Sequence, residues 1–136
     1  MGRVSANVTV TNLFDEKCAV HCTAMVDTGA SHLVLPQAWK GQMGKLKLLA
    51  TGQVETADGT RLDGEVCGPV QIQVDDFRPV IAEVMFIEMT ATEDEYEPLL
   101  GYVVLEAIPA AVDMREHRLT AGRLLPLKFT QRSGKN

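Results

Sequence analysis

Asp27 is the residue of this sequence around which chemistry could gather. It lies in the stretch AMVDTGASHLVLP, residues 24–36, with apolar runs on both sides. A carboxylate set between two segments that belong in a core must be neutralised, paired or put to use. Thr28, Gly29, Ala30 and Ser31 after it read as a turn, since Gly29 tolerates close approaches that a side chain would block. Other chemistries find no footing. There is no GxSxG elbow, no P-loop, no HExxH and no glycine-rich dinucleotide turn after a strand. Ser31 and His32 are neighbours on what reads as extended backbone, so their side chains should diverge. His21 and His117 read as a strand residue and a turn residue. The three cysteines leave an odd thiol and argue against a disulfide framework. Cys18 and Cys22 on one strand would lie roughly 13 Å apart, too far to share a metal, with His21 on the other face. No metal and no cofactor are expected; buried reduced thiols are.

The elements that must position Asp27 are mostly strands. Residues 4–10 alternate Val4, Ala6, Val8, Val10 against Ser5, Asn7, Thr9, the pattern of a half-buried strand. A turn around Asp15-Glu16-Lys17 leads into an interior strand, 18–26, which delivers Asp27. Extended structure resumes at 32–35, and Pro36 opens a short helix over 37–43. Residues 45–56 are extended, and Asp58-Gly59 gives the strongest hairpin signal in the chain. Its tip is polar, so it should project into solvent or over a cleft. Strands at 66–74 and 79–88 are joined by Asp75-Asp76, with Glu83 and Met85 alternating against Val84 and Phe86. After an acidic loop at 90–97, Leu99-Leu100-Gly101 runs into a helix over 102–108 that Pro109 ends, with Val103, Val104 and Ala107 at helical spacing. A hairpin turning at 115–117 follows, then a tail at 124–129 apolar enough to pair with another segment.

At 136 residues the chain fits one domain with a core of its own. A net charge of −5 argues against a sequence-tolerant nucleic-acid binder, which needs a basic surface. No apolar run is long enough to span a bilayer, and the first residues lack the profile of a secretory leader, so no membrane partner and a cytoplasmic location are expected.

Taken in order, the apolar-flanked Asp27-Thr28-Gly29-Ala30, the Ala57-Asp58-Gly59-Thr60 hairpin, Cys67-Gly68-Pro69-Val70, and Glu97-Pro98-Leu99-Leu100-Gly101 followed by Leu105-Glu106-Ala107 resemble one family. The sequence is similar to the retropepsin-like (clan AA) aspartic proteases, of the single-domain bacterial and archaeal type. Asp113 and Arg118-Leu119 match as well. The resemblance covers nearly the whole chain. It implies a mostly-β, single-lobe retropepsin-like closed β-barrel (the acid protease fold) with one or two short helices, spanning 1–130 with a frayed tail at 131–136.

The same resemblance implies an aspartic endopeptidase. Such enzymes need two carboxylates sharing one proton, one activating a water and the other donating to the scissile carbonyl. This chain holds one Asp-Thr-Gly, so a two-fold homodimer would supply Asp27 twice and form the active site at its interface. Thr28 would hydrogen-bond across the axis, and Gly29 would let backbone N–H groups approach the carboxylates. Leu100 and Gly101 would support the loop. Ala30 replaces the hydroxyl residue common in pepsin-like lobes, which implies a pH optimum nearer neutral than pepsin's. Ala57, Asp58 and Gly59 would form a flap closing over a polypeptide bound as an extra strand. Tyr102 departs from the family, standing where retroviral members usually carry Arg or a related polar residue; the termini, which build the inter-subunit sheet in those members, differ in length and pattern, and 124–129 is the candidate interface strand. The alternatives are a catalytically silent dimer of this fold that binds an extended segment of a partner, and an unrelated barrel with a chance Asp-Thr-Gly.

Overall fold

Ala6, Val8 and Val10 are buried while Ser5 and Asn7 face solvent, so the period-two pattern at the start becomes strand β1 (Ser5–Asn12). The computed structural model describes residues 3–55 and 59–122. β1 turns directly into β2 (Asp15–Val26), pairing from Asn12↔Asp15 to Ser5↔Met25. The turn is therefore Leu13-Phe14, and Asp15-Glu16-Lys17, expected to turn, opens the strand instead.

Asn12 explains that shift. It is 3 % exposed, and its side-chain amide donates to the Met43 and Lys45 carbonyls, both at 2.9 Å, while its Oδ1 accepts the Phe14 N–H at 2.9 Å. One side chain thus fixes the tight turn and ties it to the end of the 3₁₀ helix Gln37–Met43. Replacing Asn12 with Ala strands the buried Met43 carbonyl, at about 1–3 kcal/mol, and leaves the Lys45 carbonyl, on an exposed residue, to water. We expect Asn12→Ala to lose about 2–3 kcal/mol in urea unfolding; a loss below about 0.5 kcal/mol would contradict that role.

The remaining elements are β3 (Leu33–Pro36), the 3₁₀ helix that Pro36 caps, β4 (Lys47–Glu55), β5 (Arg61–Val74), β6 (Val80–Ile87), β7 (Leu99–Leu100), helix α1 (Tyr102–Ala107), β8 (Ala110–Asp113) and β9 (Arg118–Ala121). The main sheet runs β1-β2-β7-β3-β6-β5-β4, and a further β1–β5 pairing closes it into a ring of six strands. β4 hangs outside the ring on the lower half of β5. The expected closed barrel is thus a ring with one free hairpin. Its interior holds Val8, Val10, Leu33, Leu35, Ile72, Val74, Phe86 and Leu100, all at most 2 % exposed. Each contributes about 1.5–3 kcal/mol by leaving water.

Other expectations need adjustment. Met85 was expected to alternate outward, yet it is buried along with Val84, Phe86 and Ile87, because β6 is covered on both faces. α1 buries Val104, Leu105 and Ile108, leaving Val103 and Ala107 exposed. The cysteines are free, but only Cys67 is buried. Cys22 is half-buried, and that burial pushes its thiol up to about 11. β8 and β9 form a separate two-stranded ribbon turning at 114–117. No described helix is long and apolar enough to cross a membrane. The expected interface strand at 124–129, the tail at 131–136, and the flap residues Ala57 and Asp58 lie outside the described residues.

Candidate active site

The Asp27 loop is held by a strand of two residues. β7 threads between β2, to which it runs parallel (Met25↔Leu99, Val26↔Leu100), and β3, to which it is antiparallel (Leu33↔Leu100, Val34↔Leu99). The segments before and after the loop are thereby locked to one short insert. Met25 donates to the Pro98 carbonyl at 2.9 Å and Asp27 to the Leu100 carbonyl at 3.0 Å. Ala30 N–H returns to the Asp27 carbonyl at 3.0 Å and closes the turn. From the far side, Tyr102 and Val103 at the start of α1 donate to the Ala30 and Ser31 carbonyls at 3.0 and 3.1 Å.

Gly101 makes this possible. A Cβ there would stand 2.4 Å from the His32 carbonyl oxygen, 2.6 Å from the Ser31 carbonyl carbon and 2.7 Å from the Ala30 oxygen. The helix start and the loop are in backbone-to-backbone contact, with no room for a methyl group. Leu100, fully buried, fills the core directly beneath.

On this rigid frame the Asp27 side chain is half-exposed. Its Oδ1 accepts the Gly29 N–H at 2.9 Å, which aims the carboxylate, and a side chain at Gly29 would crowd that oxygen at 3.1 Å. Thr28 is exposed, and among the described residues its hydroxyl makes no hydrogen bond. Beside it lies a hollow of about 420 Å³ lined by Arg3, Val4, Met25, Val26, Thr28, Val112 and Met114. Tyr102 and Val103, each 44 % exposed, and Met114, 54 % exposed, add apolar surface around the same loop.

A second apolar cluster spreads from the loop along the sheet: Ala30, Val34, Val66, Met85 and Ile87, joined by Val54, Leu62, Met89 and Leu99. Val54 and Leu62 come from the β4–β5 hairpin, whose arms pair as far as Glu55↔Arg61 and whose β4 is exposed along most of its length. The hairpin therefore does project, with its inner side over an apolar floor beside Asp27. Gly59 at its end has φ +88°, the left-handed backbone that its place in the turn predicts. A Lys40–Glu65 pair at 2.6 Å ties the 3₁₀ helix to the hairpin's root. The hydrogen bond between them raises the lysine's proton affinity and holds the glutamate below the usual carboxylate range.

Sequence reasoning missed two groups. The floor residues escaped because they come from five separated segments and share no period. The second is Ser31–His32. Their side chains do not diverge: Ser31 Oγ lies 2.9 Å from His32 Nδ1, and His32 Nε2 lies 3.3 Å from Glu83 Oε1. Residues 31 and 32 form a bend before β3 begins, which turns the two side chains together. The strand partner Glu83, far along the chain, carried no local signal.

Comparison with known proteins agrees with this geometry. No curated protein sequence matches the chain. Among solved structures it is similar to the EIAV protease complexed with the inhibitor HBY-793, at 18 % identity and a TM-score of 0.58, covering 83 % of this chain and 94 % of that one. That likeness establishes the retropepsin-like fold. The sequence model of the aspartyl proteases matches residues 7–104, a span that holds the Asp27 loop, both hairpin arms and the β7–Gly101 lock. By that match, the chain belongs to the aspartyl protease family.

Proposed function

We propose that this protein is an aspartic endopeptidase whose active site is assembled from two copies of the chain. One observation carries the reading: a half-exposed carboxylate, aimed by the Gly29 N–H, stands on a loop fixed by β7 and Gly101 with no second Asp-Thr-Gly in the chain. Water attack on a peptide bond needs a base and a protonated partner close enough that both cannot ionise. A second Asp27 across a two-fold axis is that partner. The exposed Thr28 and the apolar surface of Tyr102, Val103 and Met114 around it suit burial against an identical face. The floor under the β4–β5 hairpin suits an extended polypeptide laid along the sheet, alternate side chains facing the apolar cluster. Three free thiols fit a reducing, cytoplasmic setting.

The test is cleavage of an unstructured protein between pH 4 and pH 8 over a range of enzyme concentrations, with sedimentation run in parallel. Specific activity should rise with concentration as dimer accumulates. Because Ala30 offers no hydroxyl to the dyad, the optimum should lie above that of pepsin. Cleavage by a species that sediments as a monomer at every concentration would sink the two-copy site. A confirmed dimer that cuts nothing would sink the enzyme.

A further inference from the structure

The 3₁₀ helix Gln37–Met43 holds the hairpin with one residue and the approach to β7 with the residue before it. Lys40 Nζ lies 2.6 Å from Glu65 Oε1, at the root of the β4–β5 hairpin. The Trp39 ring meets the Tyr96 ring edge to face, with centroids 5.9 Å apart and planes at 85°. Tyr96 stands just before Pro98, whose carbonyl accepts the Met25 N–H, and Leu99, where β7 begins. A 3₁₀ helix has three residues per turn, so adjacent side chains point about 120° apart. One short turn therefore serves both the element that overhangs the floor and the element that fixes the Asp27 loop.

Both contacts have firm seats. Trp39 is half-buried against the main core, and Lys40 lies over the Phe86 ring, 6.0 Å from its centroid. The helix is pinned at its ends. Pro36 pairs with Ile87 in the β3–β6 ladder, and the Met43 carbonyl accepts the Asn12 amide at 2.9 Å. What the pins leave adjustable is the middle turn, because 3₁₀ hydrogen bonds have poorer geometry than those of an α-helix. Glu65 cannot shift without drawing on that turn, since Gln37 bonds its carboxylate as well as Lys40 does. Lys40 cannot shift without turning Trp39, its neighbour in the chain. An aromatic pair prefers its edge-to-face geometry, so a turned Trp39 either carries Tyr96 along or loses it.

We infer that Trp39 and Lys40 couple the hairpin to β7, so that whatever displaces the hairpin root is felt at the bonds holding the Asp27 loop. The coupling runs through an ion pair, one turn of helix and one packed ring pair, the kinds of contact that transmit such effects. Glu65, Lys40, Trp39 and Tyr96 are then positioning residues. They act on Asp27 through β7 and touch nothing that reacts. The link belongs to the fold, and its test needs no cleavage.

Amide hydrogen exchange of the full chain, followed by NMR, reads the link directly. The Met25 and Asp27 amides bond to the Pro98 and Leu100 carbonyls, so their exchange reports the opening of this segment. Glu65→Gln should speed exchange at both about fivefold, the upper end of what a half-exposed ion pair is worth. Amides of the β1–β2 ladder around the Thr9↔His21 pair should keep wild-type rates, which a merely loosened fold would not allow. Tyr96→Leu should also speed the two amides, and adding Glu65→Gln to it should change little more, because the link is already cut. Exchanging the charges, Lys40→Glu with Glu65→Lys, should restore wild-type rates. Trp39 is the one tryptophan of the chain, so its emission gives a second readout. Glu65→Gln should shift that emission in the same direction as Tyr96→Leu does. Unchanged exchange at Met25 and Asp27 in Glu65→Gln, an equal rise at every amide, or a full fivefold rise on top of Tyr96→Leu each overturns the link. The protease reading is decided separately, by its own cleavage test.

Discussion

Asp27→Asn should abolish peptide cleavage, by on the order of 10⁴-fold or more, while leaving the fold intact. The asymmetry between the two effects follows from the geometry. An asparagine side-chain oxygen can accept the Gly29 N–H as Asp27 Oδ1 does, and the backbone bonds to Leu100 and Ala30 do not involve the side chain. What the amide cannot do is take a proton from water. Mixing gives a sharper form of the result. If two chains share one site, equal amounts of wild type and variant leave only about a quarter of the dimers with both carboxylates. Activity per wild-type chain should then fall to about half after subunit exchange. Unchanged activity per wild-type chain in a mixture shown to exchange would mean that each chain works alone.

Gly101→Ala should be the most damaging small substitution in the chain. Its backbone is ordinary, φ −86° and ψ 172°, so the requirement is space and not conformation. The added methyl group would meet three backbone atoms of residues 30–32, and backbone cannot rotate out of the way as a side chain can. Relief requires separating α1 from the loop, which breaks the bonds from Tyr102 and Val103 to Ala30 and Ser31. We expect a loss of about 3 kcal/mol or more and a drop in melting temperature of about 10 °C. Cleavage should fall with it even at temperatures where the variant is folded, because the same shift moves the loop that aims Asp27. A variant with wild-type melting and wild-type cleavage would show that the loop does not depend on this contact.

The parts of the fold that could be read in the sequence are those whose cause is local. The alternation of β1, proline at the head of the 3₁₀ helix, Gly59 at the end of the hairpin arms and the last hairpin each follow from residues a few positions apart. Asp27 was legible for the same reason, as a carboxylate set between two apolar runs. What escaped depends on residues brought together from afar. Two residues of β7 carry no period of their own, and their resemblance to a family motif, rather than their pattern, marked them. Asn12 reads as a loop residue until the carbonyls of Met43 and Lys45 arrive to meet it. Met85 looked like an outward position because alternation assumes one buried face, and β6 has two. The Ser31–His32 pair needed the bend that Gly101 presses into shape.

The placement of β7 also decides when the site can exist. Val26 has no parallel neighbour, and the Asp27 amide no acceptor, until Leu99 and Leu100 are present, and these come late in the chain. During synthesis Asp27 leaves the ribosome long before the two residues that will hold its loop. Its closing contacts are among the longest-range in the fold, the kind that loop entropy makes slowest to form. An unfinished chain therefore carries Asp27 as an ordinary surface carboxylate, next to its own nascent polypeptide and without the frame that aims it.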